Sequence, residues 1–274
     1  MEIKTRTCDV AGSRTMQIHR KERMDRGDQS IQAEQYSFPY HYIPQSTGRL
    51  FLSRHWSFAA SYIAALDLVA EHVVPLAHAQ AESFRHIDIG CGDGALLYHL
   101  TSKYGLLGSR LAGVDTDARS IEWARLFNPD AKLFAVNLAE IAGDYSSASL
   151  IEVMEHVPPE ALPGFLEKAA SLLRPGGLMI ITVPSVEKPV ATKHFQHFSM
   201  ATLRDLLAPH FEHIEIRGFE RGDAVTRLLM RLRDNGRVRI DAPQLNRLLV
   251  QRFARLHSDQ KGCARLLATA LRRG

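Results

Sequence analysis

Three groups of side chains in this sequence are suited to chemistry. The first is an acid-flanked glycine turn, Asp88-Ile89-Gly90-Cys91-Gly92-Asp93-Gly94, with a further acid at Asp115. The second is Glu152-Val153-Met154-Glu155-His156, and the third is a later pair of histidines, His194 and His197. In a helical turn Glu152, Glu155 and His156 stand at i, i+3 and i+4 and share one side. A histidine among carboxylates can take a proton from an acceptor. Alternatively, it can join them around a divalent ion that lowers the acceptor's pKa. His156 and His194 are therefore the candidate catalytic residues. Glu152, Glu155, His156, His194 and His197 are the candidate metal ligands, and an oxygen-rich set suits Mg²⁺ or Mn²⁺.

The glycine turn follows a short apolar run and precedes a helix-patterned segment, an order that reads strand, turn, helix. Glycine accepts φ > 0 and lets a ligand approach the backbone, while the helix start offers free N–H groups. Gly90-x-Gly92-x-x-Ala95 also fits a dinucleotide fingerprint, and the acids separate the two ligands. Asp88 and Asp93 would repel a pyrophosphate, whereas both favour the ammonium and sulfonium of S-adenosylmethionine (SAM). Asp115 closes a second apolar run about 20 residues on, where a carboxylate accepts hydrogen bonds from ribose hydroxyls.

With these residues in place the sequence resembles a class I SAM-dependent methyltransferase. The Glu-x-x-Glu-His run at 152–156 is similar to the signature of the ubiquinone-biosynthesis O-methyltransferases, and Arg174-Pro175-Gly176-Gly177 recurs in the same family. The resemblance covers roughly residues 84–220 and implies SAM held by Asp88, Gly90, Cys91, Gly92, Asp115, Thr116, Asn137 and Leu138. Asn137 falls where relatives carry a polar residue toward adenine, more often Asp. The implied reaction is O-methylation of a small-molecule, sugar or lipid-linked acceptor. A second reading is a metal-dependent small-RNA 3′-terminal 2′-O-methyltransferase, a family with a Glu/Glu/His/His site. Its longer signature around the histidines is missing here, so nucleic acid is not the expected partner. A third is a non-catalytic SAM-binding subunit, which would have no use for Glu152 and His156.

The elements that must position these residues alternate. Strands are expected at 84–89, 110–115, 131–136, 148–154, 178–183 and 211–219, with helices at 94–104, 118–127, 159–173 and 200–208. A helix from Trp56 to Val74 should end before Pro75. Such alternation implies a Rossmann-like, doubly wound and mostly parallel seven-stranded sheet. The family's sheet closes with an antiparallel strand, which places 263–271 in that role and makes 222–258 a helical insertion. Residues 1–45 form an N-terminal extension ending in an aromatic segment, 36–44, read as a lid or as packing. Residues 46–274 form the methyltransferase domain.

Hydrophobic content of 45% and charge of 23% fit a globular chain with a full core. No stretch approaches 18 apolar residues in the sequence, so neither a transmembrane helix nor a secretory signal is expected. Cys8, Cys91 and Cys263 show no metal or redox spacing, which suits reduced thiols in the cytoplasm. From Arg221 onward thirteen Arg or Lys face four Asp. That excess reads first as a solvated face, and second as attraction to anionic lipid, phosphorylated substrate or nucleic acid. The sequence leaves the oligomeric state open.

Overall fold

The structure, a computed structural model, describes residues 59–233, 240 and 242–274, together with His41 and the short pairs 45–46 and 53–54. Apart from His41 and Gln45, the expected N-terminal extension and aromatic segment lie outside the described residues, as do Trp56 and Cys8. The frame is a seven-stranded sheet: β1 His86–Ile89, β2 Leu111–Asp115, β3 Lys132–Ala135, β4 Tyr145–Ile151, β5 Leu173–Pro184, β6 Phe211–Arg221 and β7 Cys263–Arg272. Its order is β3-β2-β1-β4-β5-β7-β6, with β7 antiparallel to both neighbours and the other strands parallel. The helices are α1 Ala59–Gln80, α2 Ala95–Ser102, α3 Ala118–Phe127, α4 Leu162–Ser171, α5 Met200–Leu207, α6 Ala224–Arg233 and α7 Pro243–Phe253. The expected doubly wound sheet and its antiparallel final strand are both present.

The strand order reverses between β1 and β4, and at such a switch point the loops leaving adjacent strands part and open a crevice. Strands β1 and β4 form the floor there. Strand β4 reads weakly in the sequence because Ser146, Ser147 and Ser149 stand where apolar residues would mark a buried strand. All three are buried, and each has a polar partner. Ser146 Oγ accepts from the Arg85 backbone N–H, and Ser147 and Ser149 bond the two ring nitrogens of His86 at 2.9 and 3.1 Å. Ser149 Oγ also donates to Asp88 at 2.6 Å. Buried polar groups persist where they satisfy one another.

Three expectations on element bounds need correction. Helix α1 runs through Pro75 to Gln80. A proline inside a helix costs about 3 kcal/mol, but Leu68, Val69 and Val73 are buried against the sheet, and each contributes about 1.5–3 kcal/mol. By length and composition alone residues 60–83 are long and apolar enough to cross a membrane, but the apolar face of this helix belongs to the core. Strand β4 covers 145–151 rather than 148–154, because Glu152 turns the chain with φ +55° into a short 3-10 turn at Met154–His156. Finally, Leu173 already pairs with Tyr145, and the next pair is Ser147 with Leu178. Arg174-Pro175-Gly176-Gly177, left between the expected helix 159–173 and strand 178–183, thus forms a bulge within β5.

Helices α6 and α7 lie between β6 and β7. Leu249 and Phe253 of α7 pack on Ala60 and Ala64 at the start of α1.

Candidate active site

A cavity of about 780 Å³ opens over the C-terminal ends of the parallel strands. At one end lies the glycine turn. Gly90, Gly92 and Gly94 all have positive φ, from +53° to +79°, a region that admits glycine without strain. A Cβ at Gly90 would come within 2.5 Å of Val153 Cγ2, so this position closes the floor of the cavity. Asp115 locks the turn. One of its oxygens accepts from the Gly92 N–H at 2.9 Å and the other from the Asp117 N–H at 2.9 Å. Gly90, Cys91, Asp115, Thr116, Asn137 and Leu138 line the cavity. Asn137 is partly committed, since its Oδ1 accepts from the Ala139 N–H and caps a short 3-10 turn.

Asp88 does not line the cavity. It is buried behind the turn, where burial outweighs the Ser149 hydrogen bond and lifts its carboxyl to about 7. Gly92 is likewise absent from the cavity wall; its N–H faces Asp115. Asp93 accepts from His41 Nδ1 at 2.5 Å, and His41 stacks on Tyr62 at 4.8 Å between ring centroids. His41 and Tyr62 both face the cavity.

The other end of the cavity brings together Glu155, His156 and His194, one ligand atom from each lying within 4.8 Å of the others. The tautomers follow from their partners. His156 Nδ1 faces the Lys193 carbonyl at 3.1 Å. A carbonyl only accepts, so Nδ1 carries the proton and Nε2 keeps a lone pair. His197 Nδ1 donates to the Lys188 carbonyl, which leaves its Nε2 to accept from His194 Nδ1 at 2.9 Å. His194 Nε2 therefore also keeps its lone pair. Burial holds both imidazoles neutral, pushing His156 down to about 4 and His194 to about 3. Glu155 is fully buried and neither carboxylate oxygen has a hydrogen-bond partner; burial, and then Glu152, push its carboxyl well up.

Glu152 stands apart from this trio. Its carboxylate accepts from Arg265 Nε at 2.9 Å and from Thr182 at 3.2 Å, and Arg265 also bonds Glu220. The left-handed Glu152 breaks the expected helical turn, so its side chain leaves Glu155 and His156 and joins β7. His197 sits behind His194 as its hydrogen-bond partner. The expected five-residue metal set thus contracts to Glu155, His156 and His194.

A family described as a methyltransferase domain matches residues 58–237. The chain belongs to the class I SAM-dependent methyltransferases. Among curated relatives, the ubiquinone biosynthesis O-methyltransferase of Chelativorans sp. is 36% identical over 124 residues, 42% of this chain and 47% of that protein. The Caulobacter sp. protein of the same name is 37% identical over 109 residues, 36% of this chain and 40% of its own length. The chain thus spans less than half the length of these relatives. The fold is shared with solved methyltransferases. Magnesium protoporphyrin IX methyltransferase from Synechocystis, bound to S-adenosylhomocysteine (SAH), gives a TM-score of 0.58 at 16% identity, over 89% of this chain and 94% of that one. A SAM-dependent methyltransferase from Archaeoglobus fulgidus gives 0.51 at 18% identity, over 75% and 94%.

In this methyltransferase Arg265, Lys193 and Tyr62 also stand on the cavity wall, and sequence reasoning does not single them out. Arg265 lies more than a hundred residues from Glu152, and no local spacing links them. Lys193 adjoins His194 in the sequence, and that adjacency is the signal its position offers.

Proposed function

We propose that this methyltransferase carries the methyl group of SAM to a hydroxyl oxygen of a small-molecule acceptor, with His156 taking the hydroxyl proton. The observation that carries the proposal is the His156 ring. Its Nδ1–H is fixed on the Lys193 carbonyl, it lines the cavity, and its Nε2 is left to accept. SAM supplies an electrophilic methyl on a sulfonium. The residues present suit it: Asp115 offers a half-buried carboxylate for ribose hydroxyls, Gly90 and Cys91 keep the turn low, and Val136 and Leu138 give an apolar wall. Transfer from a sulfonium is an in-line displacement, so the main service of the protein is alignment. Its second service is to accept a proton. The O-methyltransferase names of the curated relatives favour oxygen as the acceptor atom, and a small-molecule, sugar or lipid-linked acceptor is preferred over RNA.

A neutral His156 that titrates near 4 leaves activity flat above about pH 5, in contrast to a base titrating near neutrality. A second reading rests on a separate observation, the buried and partnerless Glu155. Two imidazole lone pairs and one carboxylate fit a divalent ion, which would lower the pKa of the acceptor hydroxyl. With Glu152 withdrawn the set holds two nitrogen ligands to one carboxylate, which suits Mn²⁺ better than Mg²⁺. The two readings part on chelation. SAH formation from SAM across a panel of phenols and aliphatic alcohols, measured with and without EDTA, should be indifferent to EDTA if His156 acts alone. Loss on chelation with recovery in Mn²⁺ would favour the ion. Binding of NAD in preference to SAM by calorimetry would overturn the proposal as a whole.

A further inference from the structure

The insertion 222–258 is built unlike the rest of the surface. It carries eight arginines and three aspartates, with no lysine or glutamate. Helix α6 turns Thr226, Leu229 and Arg233 inward and leaves Val225, Leu228 and Leu232 52–57% exposed. Those three stand at i, i+3 and i+7 and make one apolar stripe along the helix. Arg227 and Arg231, both exposed, lie beside it. Leu248, Ile240 and Leu256 are exposed too, each more than 40%, alongside exposed Arg247 and Arg255.

The position of this surface gives it a use. Strand β6 ends at Arg221 and β7 starts at Cys263, so the insertion leaves and re-enters the sheet at one edge. That edge carries the cavity, because Pro184 and Arg265, paired across β5 and β7, both line it. Helix α7 packs on the first turns of α1, where Tyr62 also faces the cavity.

We propose that α6, with the exposed part of α7, docks on an anionic lipid surface and holds the cavity edge toward an acceptor carried in or on the bilayer. A basic amphipathic helix lies in the membrane interface with its apolar stripe among the acyl chains and its arginines at the headgroups. Nucleic acid would use the arginines but would leave Val225, Leu228 and Leu232 in water. A second copy of the chain would bring the same positive charge against itself. Anionic lipid satisfies both the stripe and the charge.

The test is co-sedimentation of the whole chain with vesicles of phosphatidylglycerol and phosphatidylcholine, or of phosphatidylcholine alone. This readout needs no methyl transfer, so it can fail while the proposed chemistry stands, and the reverse. The expected result is binding to the anionic vesicles that weakens with salt. Leu228→Glu with Leu232→Glu should then lower partitioning by about tenfold or more at unchanged SAM affinity, the control for folding. Absence of anionic-vesicle binding, or equal binding by the double variant, overturns the proposal. So does a stable dimer that the double variant dissociates in the absence of lipid binding. Binding to a short RNA but not to vesicles overturns it as well.

Discussion

Asp115 and Glu155 are both carboxylates on the wall of one cavity, and the fold treats them in opposite ways. Asp115, at the end of β2, takes backbone N–H groups from Gly92 and Asp117 and remains half-buried, an acceptor set in place before any ligand arrives. Glu155, just past β4, is buried with both oxygens unpaired beside two neutral histidines. Leaving a buried carboxyl without partners costs about 1–3 kcal/mol or more. A pre-satisfied group suits recognition of a constant ligand, whereas an unsatisfied one suits chemistry that supplies its partner only during turnover. The proposed cofactor and acceptor ends of the cavity differ in this respect.

That contrast can be broken at either carboxylate. Asp115→Ala should weaken SAM binding by about 1–3 kcal/mol, roughly 5- to 150-fold, through loss of a charged acceptor and of the Gly92 anchor. Calorimetry showing unchanged affinity would remove Asp115 from the cofactor end. Glu155→Leu should do the reverse, lowering turnover while leaving unfolding free energy equal or raised by about 1–3 kcal/mol. A clear loss of stability in denaturant melts would mean that Glu155 is a structural residue. The effect that is smallest near neutral pH sharpens the comparison from beneath the glycine turn. His86 is held to about 3 by burial and Asp88 is lifted to about 7. Between about 6.5 and 3 the unfolded chain binds a proton at His86 that the folded one refuses, so His86 reduces stability as pH falls. Asp88 works the other way from about 7 to 3.8, its folded form binding the extra proton. His86→Gln should therefore gain about 1.4 kcal/mol per pH unit on the wild type as pH drops below about 6.5. Parallel curves in urea melts would show that the buried pair is not titrating as described.

The same contrast explains what the sequence discloses. The cofactor end is local: strand, glycine turn and helix follow one another, and Asp115 stands at a fixed offset, so composition and spacing point to it. What spacing does not disclose even there is the burial of Asp88 and its bond to Ser149, sixty-one residues on. The acceptor end joins the turn at 154–156 to the loop holding Lys193, His194 and His197. The helical spacing of Glu152 with Glu155 and His156 suggests one cluster. A single left-handed residue, Glu152 at φ +55°, sends it to Arg265 instead. Backbone reversals of this kind leave no mark on residue periodicity. Most strands and the helical character of the insertion are legible because apolar period survives burial, the final strand 263–271 is legible only through the family resemblance, and β4 is blurred where serines serve a buried network.

The most direct test of the account is single-turnover methyl transfer by His156→Ala, with SAM affinity measured on the same preparation. If the acceptor loses its proton at the His156 end while Asp115 holds the cofactor, the rate falls by about 10²-fold or more and the affinity for SAM stays at the wild-type value. A near-normal rate with normal SAM binding would contradict the account and leave Glu155, His156 and His194 as structure alone.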